Sequence, residues 1–136
     1  MKNIGIYQIN LKNVTEADNS MRFRIFEELP DDQDTVDLIA EGYELVWGTY
    51  FNYDALSAVE SALPQTDSLR DIDILSTMFN IFNIKHPDNY QARSLSVSDI
   101  VSIDNNFYHC QAGGWKKIKV EGFEEVLEKA QSKNNN

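Results

Sequence analysis

The sequence predicts one α+β domain, in which a small antiparallel sheet with a C-terminal three-stranded meander is covered by two or three helices. Three observations lead to this prediction. Short runs of β-branched and aromatic residues occur near both ends of the chain, a periodic helical segment lies between them, and turn residues separate the later runs. The 136 residues suit a single domain over positions 1–136, with a frayed tail at 134–136.

The N-terminal half contains three predicted strands. "IGIYQI" is apolar on both faces and predicts a buried strand, whereas "MRFRIF" alternates like a half-exposed one. "YELVWGTYF" is the third, with Gly48 as a candidate bulge. The acidic stretch "EELPDDQDT" predicts an irregular loop. Asp54 is suited to cap a following helix over "ALSAVESAL", which Pro64 ends.

The clearest predicted helix runs from Ser68 to Ile84, with Thr66 or Asp67 as its N-cap. Its apolar side chains recur at the spacing of one helical face: Leu69, Ile72, Leu75, Phe79 and Phe82. A second amphipathic helix is predicted at the C-terminus, and its buried face holds Phe123, Val126, Leu127 and Ala130. We expect both helices to cover the same face of the sheet.

The stretch "SLSVSDIVSIDNNFYHC" contains the side-chain types of a catalytic site, including the only cysteine of the chain. Its strands "DIVSI" and "FYHCQ" flank the turn "DNN", and "AGG" leads into a third strand, "WKKIKV". Because adjacent strand residues point to opposite faces, His109 and Cys110 are not expected to form a nucleophilic pair. Asp99 is either a general base or the residue that fixes the turn, and its position before a β-branched run favours the turn.

Other chemistry has little support in the sequence. Two distant histidines and one cysteine match no compact metal motif, and no glycine-rich phosphate fingerprint is present. We therefore expect no enzyme activity, catalytic residue, metal or cofactor. The chain has no apolar run of about 18 residues and no signal-peptide pattern, which predicts a cytoplasmic protein.

The charge is strongly acidic and unevenly placed. The chain carries a formal net charge of −10, and residues 27–73 hold 13 acidic side chains against the single basic Arg70. Such a chain is not attracted to phosphate backbones, so direct nucleic-acid binding is disfavoured. The acidic segment is either a surface that keeps the protein in solution or a surface that binds a basic partner.

The C-terminal half resembles the YodL-like domain. The resemblance lies in "FNIKHPDNYQARSLSVSDIV" and in the hairpin with the aromatic pair Phe107–Tyr108, which a turn with Gly114 and Trp115 follows. "IYQI", "RF" and "YELVW" match the family more loosely. Arg93, Cys110 and Gln111 depart from the family pattern. The resemblance implies a domain carried by bacterial conjugative elements and phages, and it implies no catalytic residue.

Three functional hypotheses remain open. The first is a mobile-element protein that counters host defence by binding a nucleic-acid-processing enzyme through carboxylates placed like DNA phosphates. Its predicted acidic face consists of Glu27, Glu28, Asp31, Asp32, Asp34, Asp37, Glu41 and Glu44. The second is a general interaction or scaffold module that uses an apolar surface such as Tyr50–Phe51–Tyr53. The third is an enzyme, which requires a pocket around His86, Asp99, His109 and Cys110.

Overall fold

The computed structural model describes residues 3–9, 28–48, 63, 70–84 and 94–134. Six strands and two helices lie within these ranges, which confirms the predicted α+β class. In chain order they are β1 Ile4–Ile9, β2 Thr35–Asp37, β3 Tyr43–Gly48, α1 Asp71–Ile84, β4 Ile100–Ile103, β5 Asn106–Gln111, β6 Gly114–Glu121 and α2 Phe123–Asn134. The predicted strand at 21–26 and nearly all of the predicted helix at 55–63 lie outside the described residues.

The six strands form one sheet in the order β2-β6-β5-β4-β1-β3. Neighbouring strands are antiparallel except at one edge, where β2 runs parallel to β6 and pairs Val36 with Val120. The sheet is therefore mixed, and the expected loop through "DDQDT" contains a short edge strand. The sequence gives no sign of β2 because only Val36 of its three residues is buried, and its partner strand comes from the other end of the chain.

A bulge in β3 sends its side chains to different faces of the sheet. Tyr7 pairs with Leu45 but Ile6 pairs with Trp47, so Val46 is the extra residue between the two pairs. The predicted bulge at Gly48 therefore lies two residues away from the observed one. In a regular strand Leu45 and Trp47 would share a face, but here they belong to different core clusters.

Two apolar clusters lie on opposite faces of the sheet, and each is covered by one helix. Adjacent residues of β4 mark the two faces, because Val101 packs with α1 whereas Ile100 packs with α2. The α1 cluster contains Ile4, Ile6, Trp47, Ile74, Leu75, Met78, Phe82, Leu95, Val101 and Ile103. The α2 cluster contains Tyr7, Ile9, Val36, Leu38, Tyr43, Leu45, Ile100, Phe107, Ile118 and Val126.

This arrangement contradicts the expectation that both helices cover the same face. The reason lies in the strands, because every residue of β1 and β4 is buried and such strands need an apolar layer on each side. The predicted buried face of the C-terminal helix is confirmed: Val126 is buried, and Phe123, Leu127 and Ala130 pack against the α2 cluster.

Helix α1 is fixed at its N-terminal end by acidic side chains. Asp73 Oδ2 accepts a hydrogen bond from the backbone N–H of Arg70, which closes the first turn in the manner of a capping box. Asp71 accepts a hydrogen bond from the Tyr108 hydroxyl and thereby ties the helix to β5. Burial and the neighbouring Asp71 raise the pKa of Tyr108 to about 12, so this hydroxyl stays protonated and remains a donor.

Replacing Gly122 with alanine is expected to lower the free energy of unfolding by about 1–3 kcal/mol. Gly122 has a φ of +79°, and an added Cβ would lie 2.9 Å from Cγ1 of Ile39, so both the backbone and the packing oppose a side chain there. Gly113 is the matched control, because a Cβ at that position meets no atom within 4 Å. Chemical denaturation measures both variants, and equal losses would contradict the prediction.

Candidate binding cavity

A cavity of about 220 Å³ lies on the α2 side of the sheet. We call it the His109 cavity. It is lined by Ile9, Glu28, Leu29, Pro30, Gln33, Val36, Glu41, Tyr43, Ser98 and His109. Its floor comes from the sheet, and its rim comes from the loop before β2 and the turn between β2 and β3. The walls therefore combine aliphatic side chains with two carboxylates and several neutral polar groups.

His109 is buried in the floor of this cavity, with 1% of its surface exposed. The side-chain amide nitrogen of Gln111 lies at hydrogen-bond distance from its Nδ1. Burial, reinforced by the charge of nearby Lys116, lowers the pKa of His109 to about 4, and Glu28 opposes this shift only in part. The imidazole is therefore neutral at pH 7.

This lowered pKa makes the stability of the protein pH-dependent. Between pH 6.5 and 4 an unfolded chain binds a proton at His109 and the folded chain does not, so acidification favours unfolding. We expect His109 to account for about 2–3 kcal/mol of stability that is present above pH 6.5 and is lost as the pH falls toward 4. Denaturation of the wild type and of His109→Gln across this range measures the effect. Parallel acid limbs for the two proteins would contradict it.

The loop before β2 is held against β6 and against the turn between β5 and β6. Glu28 Oε1 accepts a hydrogen bond from the backbone N–H of Ala112, in the turn between β5 and β6. Lys116 Nζ donates to the carbonyl oxygens of Pro30 and Asp31 at 2.9 and 3.3 Å. One residue before β2, the carbonyl of Asp34 accepts from Lys119 N at 2.7 Å. These contacts give the acidic loop a defined position.

The structure divides the predicted acidic face into three groups. Asp31, Asp32, Asp34 and Asp37 are exposed on the loop and on β2. Glu28 and Glu41 line the His109 cavity. Glu44 lies half-buried on β3, and Glu27 lies outside the described residues.

Asp37 has a structural role that separates it from the other exposed aspartates. Its Oδ1 accepts hydrogen bonds from the backbone N–H groups of Ile39 and Ala40, both at 3.1 Å, and so it fixes the turn into β3. The sequence alone assigned the same role to all the acids of this run. An aspartate in a turn can accept hydrogen bonds from the backbone N–H groups two and three residues later, but the sequence does not show which aspartate of an acidic run does so.

Asp99 is a buried structural residue, as the turn interpretation predicts. Its side chain is completely buried, and Oδ2 accepts hydrogen bonds from Ser96 N at 2.9 Å and from Gln8 Nε2 at 3.0 Å. The first bond closes the turn before β4, in which Ser98 adopts a φ of 83°. The second bond connects this turn to β1. The backbone of Asp99 also accepts from Cys110 N, so the carboxylate lies at the junction of three strands.

Cys110 lies on the other side of the sheet from His109, which confirms the predicted separation of the two side chains. It lines a second cavity of about 330 Å³ between α1 and the β5–β6 turn, together with Ile72, Phe79 and Trp115. Burial and the charge of Asp99 raise the pKa of the thiol to about 12, so it stays protonated at neutral pH and is a poor nucleophile. His86, the other candidate partner, lies outside the described residues.

Two further properties concern the described part of the chain as a whole. It contains no group of three or more His, Cys, Asp or Glu side chains arranged to hold a metal ion. None of its helices combines the length and the apolar character needed to cross a membrane.

The described residues of the motif between Phe82 and Asp99 contribute to the core and bond to one another. Phe82 is completely buried, and its carbonyl oxygen accepts a hydrogen bond from Leu95 N at 3.1 Å. Asn83 Nδ2 donates to the carbonyl of Leu95 at 2.8 Å, so "FN" and "SLSVSD" hold each other in place. Phe107 packs edge-on against Phe123 of α2 on the opposite face. The described motif residues therefore have structural roles, in the turn before β4 and in the core on each face of the sheet.

These features define a small α+β domain, in which a six-stranded mixed sheet lies between two helices and buried polar contacts fix its turns. The model of the YodL-like domain matches residues 3–121. The chain therefore belongs to the YodL-like domain family. No curated protein and no solved structure matches it.

Proposed function

We propose that this chain is a non-enzymatic, cytoplasmic protein of a mobile genetic element, such as a conjugative transposon or a phage. In this proposal it counters host defence as an anti-restriction or anti-CRISPR protein. It does so by binding a basic surface of a nucleic-acid-processing defence enzyme. The resemblance described above supports the mobile-element setting. The protein partner would be engaged by carboxylates that take the place of DNA phosphates.

The observation that carries the proposal is the acidic edge, which we define as Asp31, Asp32, Asp34 and Asp37. These four exposed aspartates lie within seven residues of one another, on a segment whose backbone is bonded to β6. A partner that binds fixed charges does not have to order a mobile loop, and complementary charge accelerates association and excludes acidic competitors.

The chemistry of the remaining candidates supports a non-enzymatic role. The Cys110 thiol is buried and protonated, and the Asp99 carboxylate is engaged by a backbone amide and by Gln8. These were the candidates for a nucleophile and a general base. Neither residue is among the described residues that line the His109 cavity.

Reversing charge at Asp31, Asp32 and Asp34 tests the proposal. Asp37 is left unchanged because its carboxylate holds a turn. The triple lysine variant is expected to weaken capture of purified restriction or CRISPR effector proteins by at least about tenfold, through repulsion from the basic partner. The matched control reverses the exposed Glu124, Glu125 and Glu128 of α2, which changes the net charge equally. Inhibition or capture that survives the first variant would refute this mechanism.

A general interaction or scaffold module without a defence role is the second candidate. The observation that favours it is Ile72 of α1, which is 45% exposed at the rim of the second cavity beside the half-buried Trp115. Contiguous exposed apolar surface marks sites of protein interaction, and Ile72 with Trp115 would form the centre of such a surface in this candidate. The Tyr50–Phe51–Tyr53 cluster lies outside the described residues. Partner capture that depends on Ile72 and not on the acidic edge would favour this candidate.

A further inference from the structure

We propose that the His109 cavity receives an arginine side chain of the basic partner. This inference rests on the proposed function and adds the chemistry of one contact to it. The cavity opens beside the acidic edge, because Glu28, Leu29 and Pro30 form its rim and Asp31 follows directly in the chain. A basic surface that covers the aspartates would therefore also cover the mouth of the cavity.

The size and the walls of the cavity suit one long amphipathic side chain. Its volume of about 220 Å³ is below the roughly 300–1,000 Å³ of sites for drug-sized ligands. The aliphatic side chains of Ile9, Leu29 and Val36 offer contacts to a hydrocarbon stem. Glu28, Gln33 and Glu41 supply acceptor oxygens for a charged group at the end of that stem.

The charges of the cavity favour a cation. Glu28 and Glu41 are acidic, and the buried His109 contributes no positive charge at pH 7 because its pKa is about 4. Lys116 lies across from His109 on β6, where its ammonium group donates to the carbonyls of Pro30 and Asp31. That lysine supports the rim of the cavity, and its charge, which helps to lower the pKa of His109, is outnumbered by the two carboxylates.

The arrangement of the acids favours a planar, many-donor cation over a metal ion. Glu28, Glu41 and His109 line one cavity, yet no three ligating side chains among the described residues converge as a metal ion requires. The acceptor oxygens of Glu28, Gln33 and Glu41 match the several N–H donors of a guanidinium group, which forms directed bonds to carboxylates. A lysine ammonium is a compact point charge with fewer donors.

Binding of the arginine analogue N-acetyl-L-arginine methylamide tests the inference. The ring signals of His109 in NMR spectra report occupancy, and a His86→Gln variant identifies which signals belong to His109. We expect a saturable shift with a dissociation constant in the millimolar range. The lysine analogue is expected to bind more weakly. No shift, or equal or tighter binding of the lysine analogue, would overturn the assignment.

Two conservative variants locate the bound group. Glu28→Gln retains an oxygen for the N–H of Ala112, and Glu41→Gln retains the shape of the side chain. Each is expected to weaken binding of the arginine analogue about tenfold, since each removes one charge-assisted bond. Amide NMR spectra check that both variants are folded. Wild-type affinity in both would overturn the inference, and Glu125→Gln, at an exposed position of α2 outside the cavity, is expected to bind normally.

The same measurements separate this inference from the proposed function. If the analogue does not bind while charge reversal at the acidic edge abolishes partner capture, only the arginine pocket is wrong. If the analogue binds to the cavity while charge reversal leaves partner capture intact, the acidic edge is wrong as the binding surface. If partner capture is lost in the Glu41→Gln variant and also in the charge-reversal variant, the result supports both the arginine pocket and the proposed function.

Discussion

Replacement of Asp99 with alanine is expected to lower the free energy of unfolding by about 2–5 kcal/mol, without changing any chemistry at the surface. The substitution removes the acceptor for two donors, the amide of Gln8 and the backbone N–H of Ser96. Gln8 is 3% exposed, so water does not readily replace the lost bond. Each orphaned buried donor costs about 1–3 kcal/mol. Urea denaturation of the two proteins measures the loss.

Asp99→Asn is the informative control. Asparagine keeps an oxygen at Cγ and nearly the same volume, so it retains an acceptor and loses only the charge-assisted part of each bond. We therefore expect it to be destabilised less than the alanine variant. If both variants were as stable as the wild type, the structural role of Asp99 would be refuted and a functional role would regain interest.

Replacement of Phe82 with alanine is expected to lower the free energy of unfolding by about 3–5 kcal/mol. The ring is completely buried between α1 and the sheet, and its centroid lies 4.7 Å from that of Trp47. Removing the ring eliminates its buried apolar contacts and leaves a cavity that the rigid sheet cannot fill. Natural domains have a net stability of only about 5–15 kcal/mol, so a large part of the protein would be unfolded on mild heating.

Ile72→Ala is the matched control on the same helix. Ile72 is 45% exposed, whereas Phe82 is fully buried, although both belong to the apolar stripe predicted from the sequence. A change of less than about 1 kcal/mol is expected for Ile72. Thermal unfolding monitored by circular dichroism compares the two. Similar losses for both variants would mean that the described packing of α1 is incorrect.

Local patterns predicted the elements whose residues contact near neighbours in the chain. The β4–β5–β6 strands are connected by turns of two residues each, and their alternation and turn chemistry are visible in the sequence. Helix α1 follows from its periodicity and begins at Asp71, and its predicted start at Ser68 lies outside the described residues. Its predicted N-caps, Thr66 and Asp67, lie outside the described residues.

Long-range contacts account for what the sequence could not predict. The β2 strand exists because residues 35–37 meet residues 119–121, and no short-range pattern encodes that meeting. The placement of the two helices on opposite faces depends on the strand order and on the bulge at Val46. The spacing of apolar residues in a helix indicates how wide its apolar face is, but it does not indicate which side of a sheet the helix covers.

The candidate site was predicted only in part for the same reason. A run of acids is visible in the sequence, but its division into exposed aspartates and cavity-lining glutamates is not. Glu28, Glu41 and His109 are far apart in the chain and line one cavity only after the sheet has formed. The sequence interpretation considered His109 as a partner for Cys110 and as part of an enzyme pocket shared with Asp99, whereas the cavity that His109 lines in the structure includes neither residue.

The position of β1 between β3 and β4 in the sheet has a consequence for biosynthesis. This strand is made before both of its neighbours, and Ile4 pairs with Ile103, so one of the two is made about 100 residues later. At about 5–20 residues per second, translation alone delays that pairing by roughly 5–20 s. During this interval a strand that is fully buried in the folded protein has β3 but not β4 as a partner. Nascent chains of this protein are thus expected to need chaperone protection of β1. The sheet is completed only after the C-terminal strands have been made.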